Sequence, residues 1–234
     1  MIVQKQRLDQ ILFNRNLAES KSKAQAMIMA GQVFVEGKMI NKSGFNINQE
    51  AVIEIKTLGP KWVSRGATKL LTALEKNVIS AKNKICIDLG SSTGGFTDVL
   101  IQSGAEKVYA VDVGTNQLHE KLKKNAKVVS LETTNDRYLT KEIVSELIDI
   151  SVCDVSFISL KKIIKPNLHL LKNKSIIITL IKPQLESKKN ENKKGIVRDS
   201  KIHQRICNEI SDWFENDCNC KILSIIESPI KGPK

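Results

Sequence analysis

The chain has no apolar run near the roughly 20 residues that a membrane-spanning helix needs, which excludes a helical membrane protein. Its amino terminus, MIVQKQRLDQ, lacks the charged-then-apolar layout of a signal peptide, so export is not expected. Cysteine is sparse and unpatterned: five residues, at 86, 153, 207, 218 and 220, with no C-x-x-C pair and no Cys/His spacing suited to zinc. Free thiols in a reducing cytoplasm are the expectation, with no metal site. Histidine occurs only at 119, 169 and 203, none beside a candidate nucleophile. Ser156 and Ser159 follow Asp154 but lack a G-x-S-x-G elbow. Asp199 and Glu209 have no partner that would make a carboxylate pair. Zinc, serine-triad and paired-carboxylate chemistries are all poorly served.

Positive charge is what the chain has in excess. Thirty-seven Lys+Arg against 25 Asp+Glu give +12 over 234 residues. A globular chain this basic most often meets a polyanion, with nucleic acid the default partner. A genome biased toward Lys and Asn is the competing explanation. The hydrophobic share, 41%, and the charged share, 26%, are ordinary for a globular chain that forms one large domain or two unequal ones.

Residues 1–58 read as a small α+β domain. Leu8, Ile11 and Leu12 have helical spacing. Ser20 caps a second helix holding Ala24, Met27 and Ile28, and Gly31 ends it. Val33 and Val35 before Glu36-Gly37 predict a strand and hairpin, and Ala51–Ile55 a closing strand. The expected order is two helices, then strands. Residues 1–66 carry ten Lys/Arg against five Asp/Glu, a net of +5. Lys21 and Lys23 start the second helix, where they could hold phosphate or simply form a solvated face. Gly59-Pro60 and Gly66 bound a linker over 59–66, in which Trp62 is expected to pack against a domain.

From 67 to 234 helices alternate with strands. A helix (67–77) precedes KICIDLG (84–90); a Gly-rich turn and helix follow (91–103); then come VYAVDVG (108–114), VVSLE (128–132), IDISVCDVSF (148–157) and SIIITLIKP (175–183). A helix near 199–215 and a strand ILSIIE (222–227) follow, and ESKKNENKKG (186–195) reads as a mobile polar loop. Apolar strands separated by helices predict a doubly wound, mostly parallel α/β sheet.

Ligands of such a sheet sit beyond the carboxyl ends of the strands. Those ends present Asp88-Leu89-Gly90, Asp112, Asp154 and Lys182. The turn from Asp88 to Phe96, DLGSSTGGF, is neither G-x-G-x-x-G nor a P-loop, which disfavours dinucleotides and triphosphates. Asp112, 22 residues after Gly90, suits a ribose diol. A nucleoside without pyrophosphate fits both features: S-adenosylmethionine. A lysine amine at 182, with Lys69 nearby and Asp154 between, could take a hydroxyl proton during methyl transfer. A Lys182–Asp154 salt bridge serving stability alone is the alternative.

The stretches RLDQILFNRNLAESKSKAQAMIMAGQVFVEGKMINKSG, WVSRGATKL, IDLGSSTGGFTDVLIQSGAEKVYAVDVGTNQL, CDVSFISL, IKPQLE, GIVRD and SPIKGPK resemble the hemolysin-A (TlyA) family along nearly the whole chain. The resemblance implies an RNA-binding domain of the ribosomal-protein-S-four type, with Arg7, Lys21, Lys23 and Arg65 toward RNA. It implies an FtsJ-like, Rossmann-like methyltransferase domain acting on ribosomal RNA at cytidine 2′-hydroxyls with S-adenosylmethionine. Lys69, Asp154 and Lys182 match three members of the family's Lys-Asp-Lys-Glu catalytic set. Asp88, Gly90, Ser92, Gly94, Gly95 and Phe96 match the cofactor loop, and Asp112 the ribose-binding acid. Glu132 to Asn135 stand where the adenine side is held, and Asp154 borders the cofactor. Trp62, Val63, Ser64 and Arg65 match the interdomain linker.

One departure stands out. In the family, SPIKGPK continues into Gly-Asn-x-Glu-Phe and a last strand, and neither that Glu nor that strand occurs up to Lys234. The expectation is a trimmed chain, because an end there would bare a sheet edge; a degenerate member, with cofactor binding kept and turnover weakened, is the other reading. Three rival functions follow from the same residues. A membrane-active cytolysin, which the family name suggests, needs an amphipathic or spanning segment. A non-catalytic RNA-binding factor would leave the cofactor loop idle. A base methyltransferase often carries Asn/Asp-Pro-Pro-aromatic where this chain has Asp154-Val-Ser156-Phe157.

Overall fold

The computed structural model describes residues 5–29, 31–55, 62–188, 190–192 and 195–230. The chain divides into two compact units, Met1–Lys61 and Trp62–Lys234. The Gly59-Pro60 breaker and the end of SPIKGPK lie outside the described residues.

The first unit runs β1 (Lys5–Arg7), α1 (Leu8–Asn14), α2 (Lys21–Met29), β2 (Val33–Val35), β3 (Lys38–Met39), β4 (Asn46–Asn48) and β5 (Ile53–Ile55). Leu8, Ile11 and Leu12 of α1 and Ala24 and Ile28 of α2 form one core with Val33, Val35 and Ile47. The Lys23 amide donates to Ser20 Oγ, capping α2. Gly31, at φ +70°, ends that helix in the left-handed region. Glu36 and Gly37, both at positive φ, turn β2 into β3 with a two-residue loop, as a type I′ hairpin requires. The expected order needs one correction. Strand β1 precedes α1 and pairs antiparallel with β4. Each is three residues long, KQR and NIN, too short and polar for an alternating pattern to show.

The second unit contains α3 (Ala67–Lys76), β6 (Ile85–Leu89), α4 (Gly95–Gln102), β7 (Lys107–Val111), α5 (Glu120–Lys123), β8 (Val128–Leu131), a 3-10 turn (Asp136–Tyr138), β9 (Ile148–Cys153), α6 (Lys161–Asn167), β10 (Leu171–Thr179), α7 (Pro183–Glu186) and α8 (Ser200–Cys218). Five strands make one sheet in the order β10-β9-β6-β7-β8. Every pairing in it is parallel, so all carboxyl ends share one rim. The strands are apolar on both faces because both are covered. Cys86, Val108, Ile150 and Val152 meet Leu70 and Leu74 of α3 and Val99 and Leu100 of α4. Ile87, Leu89, Tyr109 and Val111 meet Ile163 and Ile164 of α6 and Ile206, Ile210, Trp213 and Phe214 of α8. Those α8 positions are one helical stripe, and Trp213 and Phe214 pack edge to face with centroids 5.0 Å apart.

Residues 62–66, expected as linker, fold into the second unit. Trp62 packs on the α3–α4 core, and the Val63 amide donates to Asp98 Oδ2 at 3.0 Å. One expectation fails. ILSIIE is not a strand: among the described residues it has no ladder partner, and Leu223 and Ile225 are exposed. The polar stretch 186–195 makes side-chain contacts where it is described. Glu191 pairs with Arg205 of α8 at 2.6 Å, and the Asn192 side-chain amide donates to the Gln184 carbonyl.

Candidate active site

Strand ends bring the key residues together. The Asp154 amide donates to the Leu89 carbonyl, and the Leu180 amide to the Cys153 carbonyl, so the ladder extends past β9 and β10 as far as the loops. Lys69 lies in the first turn of α3, next to the buried Leu70 that fastens the helix to the sheet. Lys69 Nζ stands 2.9 Å from Asp154 Oδ2, and Lys182 Nζ 2.8 Å from Asp154 Oδ1. The Lys69 contact is an aligned hydrogen bond. The Lys182 contact is short but off-angle, a charge contact rather than an aligned bond. Lys182 spends its aligned bonds on the Val155 carbonyl, at 2.7 Å, and on Ser156 Oγ, at 3.1 Å. All three charged side chains are about four-fifths buried. Burial pushes the Asp154 carboxyl up, but the two ammonium groups outweigh it and hold the carboxyl below its usual range. One carboxylate thus bridges two amines, leaving one net positive charge in the cluster.

The glycine-rich loop lies beside this cluster. Gly90, at φ +74°, passes so close to the β9 loop that a Cβ there would sit 2.9 Å from Val155 Cγ1. Gly94, at φ +90°, would place a Cβ 2.3 Å from Leu122 Cδ1. Only glycine lets the backbone turn here, and between the two glycines Ser92 and Thr93 are exposed. Asp112 Oδ2 accepts from the Ser92 amide at 2.8 Å, and Oδ1 from the Gly114 amide at 2.7 Å. Each oxygen keeps a lone pair for a ligand hydroxyl.

Other expected site residues have structural partners. Asp88 is 1% exposed, and its Oδ2 accepts from the Thr97 amide and hydroxyl, locking the loop to α4. Burial pushes its carboxyl up to about 7, against the pull of Thr97. Gly95 lies against Ser64 and Ala67, and Phe96 is buried in the α3–α4 core. Glu132 accepts from the Leu118 amide and pairs with Lys123 at 2.8 Å, which holds its carboxyl down. Asn135 Oδ1 accepts from the Arg137 amide, capping the 3-10 turn. These residues shape the rim more than they face it.

Four residues escaped sequence reasoning. Asp136 is 5% exposed, with one carboxyl oxygen lacking a partner. Burial, with Asp112 nearby, pushes its carboxyl up to about 7. Phe157 is 98% exposed at φ +67°, a bare ring three residues past Asp154. Asp98 gathers the Val63 amide, Gln102 and Lys121. Glu186 accepts from Ser159 Oγ and the Leu160 amide.

Of the expected RNA-facing residues, Lys21 and Lys23 are exposed on the first turn of α2, and Arg65 is exposed ahead of α3. Arg7 is half-exposed and turned onto buried Asp9 at 2.6 Å; together with Gln25 it holds that carboxyl down to about 2. Among the described residues no helix is long and apolar enough to cross a membrane, and no group of three or more His, Cys, Asp or Glu side chains could hold a metal.

This geometry has relatives. Residues 62–234 match the model of the FtsJ-like methyltransferase family, and residues 6–53 that of the S4 domain. Hemolysin A of Brachyspira hyodysenteriae is 43% identical over 230 residues, 97% of this chain and 95% of that one. The 16S/23S rRNA (cytidine-2′-O)-methyltransferase TlyA of Mycobacterium tuberculosis is 35% identical over 229 residues, 97% of this chain and 85% of its own. A solved Streptococcus thermophilus protein named as a hemolysin is 37% identical, with a TM-score of 0.71 over 98% of this chain and 84% of its own. The chain therefore belongs to the hemolysin-A (TlyA) family, in which an S4 domain is joined to an FtsJ-like methyltransferase domain.

Proposed function

We propose that this protein transfers a methyl group from S-adenosylmethionine to a ribose 2′-hydroxyl of ribosomal RNA, at a cytidine, in the cytoplasm. The carrying observation is the Lys69–Asp154–Lys182 cluster on the rim that also presents Asp112 and the Gly90–Gly94 loop. The donor set fits the cofactor: a carboxylate with free lone pairs for a ribose diol, a buried carboxyl at Asp136 with an unused oxygen for an adenine amine, and a glycine loop open to a small zwitterion. Asp112, Asp136 and the backbone of Gly90, Ser92 and Gly94 would hold it, while Asp88, Gly95, Phe96, Glu132 and Asn135 keep the rim in shape. When bound, S-adenosylmethionine supplies an electrophilic methyl on a sulfonium.

Once the Lys182 ammonium has released a proton to solvent, its amine, held between the Val155 carbonyl and Ser156 Oγ, accepts the hydroxyl proton as the methyl is transferred. Asp154 aims that amine and balances the charge that the proton adds. Lys69 anchors Asp154 from the other side and offers a positive donor to the substrate oxygen. The gain is mainly alignment, because in-line transfer needs the nucleophile held on the methyl–sulfur axis. Phe157 offers a stacking face to the base of the target nucleotide. Lys21, Lys23 and Arg65 contact RNA phosphates, whereas Arg7, neutralised by Asp9, does so weakly.

Hypomethylated ribosomal subunits incubated with labelled S-adenosylmethionine test the reading. A 2′-O-methyl makes the adjacent phosphodiester resistant to alkali, and a base methyl does not. Label in alkali-resistant dinucleotides is expected; label confined to bases, or none, refutes the proposal.

A further inference from the structure

We propose that Glu186 is a positioning residue for Lys182, clamping the segment that carries Asp154 to the segment that carries the lysine; the inference rests on the methyl-transfer reading above. Helix α7 begins at Pro183, straight after Lys182, and the Leu185 amide donates to the Lys182 carbonyl at 2.9 Å. Lys182 and Glu186 therefore share one helical turn and move together. Facing them is the loop 154–160, between β9 and α6. Between its buried ends, Val155 and Leu160, that loop carries Phe157 in the left-handed region with its ring in solvent.

The loop is fastened to the Lys182 turn at two places. At 154–156 it meets the Lys182 amine, through Asp154 Oδ1, the Val155 carbonyl and Ser156 Oγ. At 159–160 it donates to Glu186: Ser159 Oγ to Oε2 at 2.7 Å and the Leu160 amide to Oε1 at 2.8 Å. No cation pairs with Glu186 among the described residues, so its carboxylate is committed to two neutral donors on that one loop. The Lys182 amine rests on a main-chain carbonyl whose place depends on the loop, and Glu186 is the second pin. Releasing it lets the 154–160 loop drift and takes the amine out of line.

The contacts distinguish a positional role from a charge role. Glu186→Gln keeps both bonds, since the amide oxygen accepts from Leu160 and the amide nitrogen donates to Ser159 Oγ. Glu186→Ala loses both. With hypomethylated ribosomal subunits and saturating cofactor, Glu186→Ala is expected to lower kcat by roughly 10- to 100-fold, as losses of supporting contacts behind a reactive group do. Cofactor Kd stays within about twofold and Glu186→Gln within about threefold of wild type. The second readout needs no turnover: the side-chain NMR signal of Lys182 in isotope-labelled full-length protein, assigned with Lys182→Arg. It moves toward the free-lysine position in Glu186→Ala and stays in Glu186→Gln. If Glu186→Ala does not fold, Ser159→Ala removes one bond and a smaller displacement of the same signal is expected.

An unmoved Lys182 signal in the alanine variants overturns the inference. So does a Glu186→Gln protein as slow as Glu186→Ala, which would make the charge the active feature. Wild-type protein that methylates no ribose would sink the methyl-transfer reading instead, and the Lys182 signal would still decide the positioning role.

Discussion

Replacing Asp136 by Asn should stabilise the second unit at pH 8 and do so much less at pH 5. The Asp136 carboxyl is raised from its ordinary 3.8 to about 7, first by burial and then by Asp112. A carboxyl raised on folding contributes stability that is full below the unfolded value and is lost as pH rises through the folded one. Each pH unit between the two values is worth about 1.4 kcal/mol, so the ceiling is about 4 kcal/mol. Between pH 8 and pH 5 the expected gain for wild type from this one group is about 2–3 kcal/mol. The substituted amide has the same shape, carries no titratable proton, and still offers an oxygen to the backbone at Gly90. The pH slope of Asp136→Asn should be shallower than that of wild type by that amount. Asp88 titrates over the same range and is itself raised in small part by the Asp136 charge, so its own smaller change adds to the difference in the same direction. Urea unfolding followed by tryptophan fluorescence is the assay. The two tryptophans, Trp62 and Trp213, both lie in the second unit, so the first contributes no signal. Parallel pH slopes for the two proteins would refute the argument that a desolvated Asp136 carboxyl takes up a proton on folding.

Gly94→Ala should cost about 2–4 kcal/mol in the same urea assay and weaken cofactor binding, because a Cβ at φ +90° meets Leu122 and Leu118 at once; unchanged stability would mean the loop can be rebuilt around a side chain. Lys21→Ala with Lys23→Ala should weaken RNA binding and reduce its dependence on log salt by about 0.7–0.9 per lysine. An unaltered salt slope in filter binding would return both lysines to a solvated helix face.

Much of the sheet is legible in the sequence because its strands are buried on both faces and read as unbroken apolar runs. Where such a run stops at Asp88, Asp112, Asp154 or Lys182, the polar residue marks the rim. That is how Asp154 and Lys182 come to notice before any distance is known, and the structure sets them 2.8 Å apart. Roles beyond that depend on tertiary surroundings. Glu132 looks like a free acid after a strand, yet Lys123 and the Leu118 amide occupy it. Asp136 sits in the polar run ETTNDR, which resembles a solvated turn, and only burial makes it unusual. Glu186 lies in IKPQLE with no spacing signal, because its partners come from a loop 26 and 27 residues away. ILSIIE has the composition of a strand, but a strand also needs a hydrogen-bonded neighbour, which composition cannot reveal.

The most direct test of the whole account compares wild type with Lys182→Ala for labelled methyl transfer to ribosomal RNA riboses, alongside cofactor binding by calorimetry. The account predicts a loss of at least about 100-fold in transfer, the share expected of a positioned base, with cofactor affinity kept within about threefold. Equal ribose labelling by both proteins would contradict it.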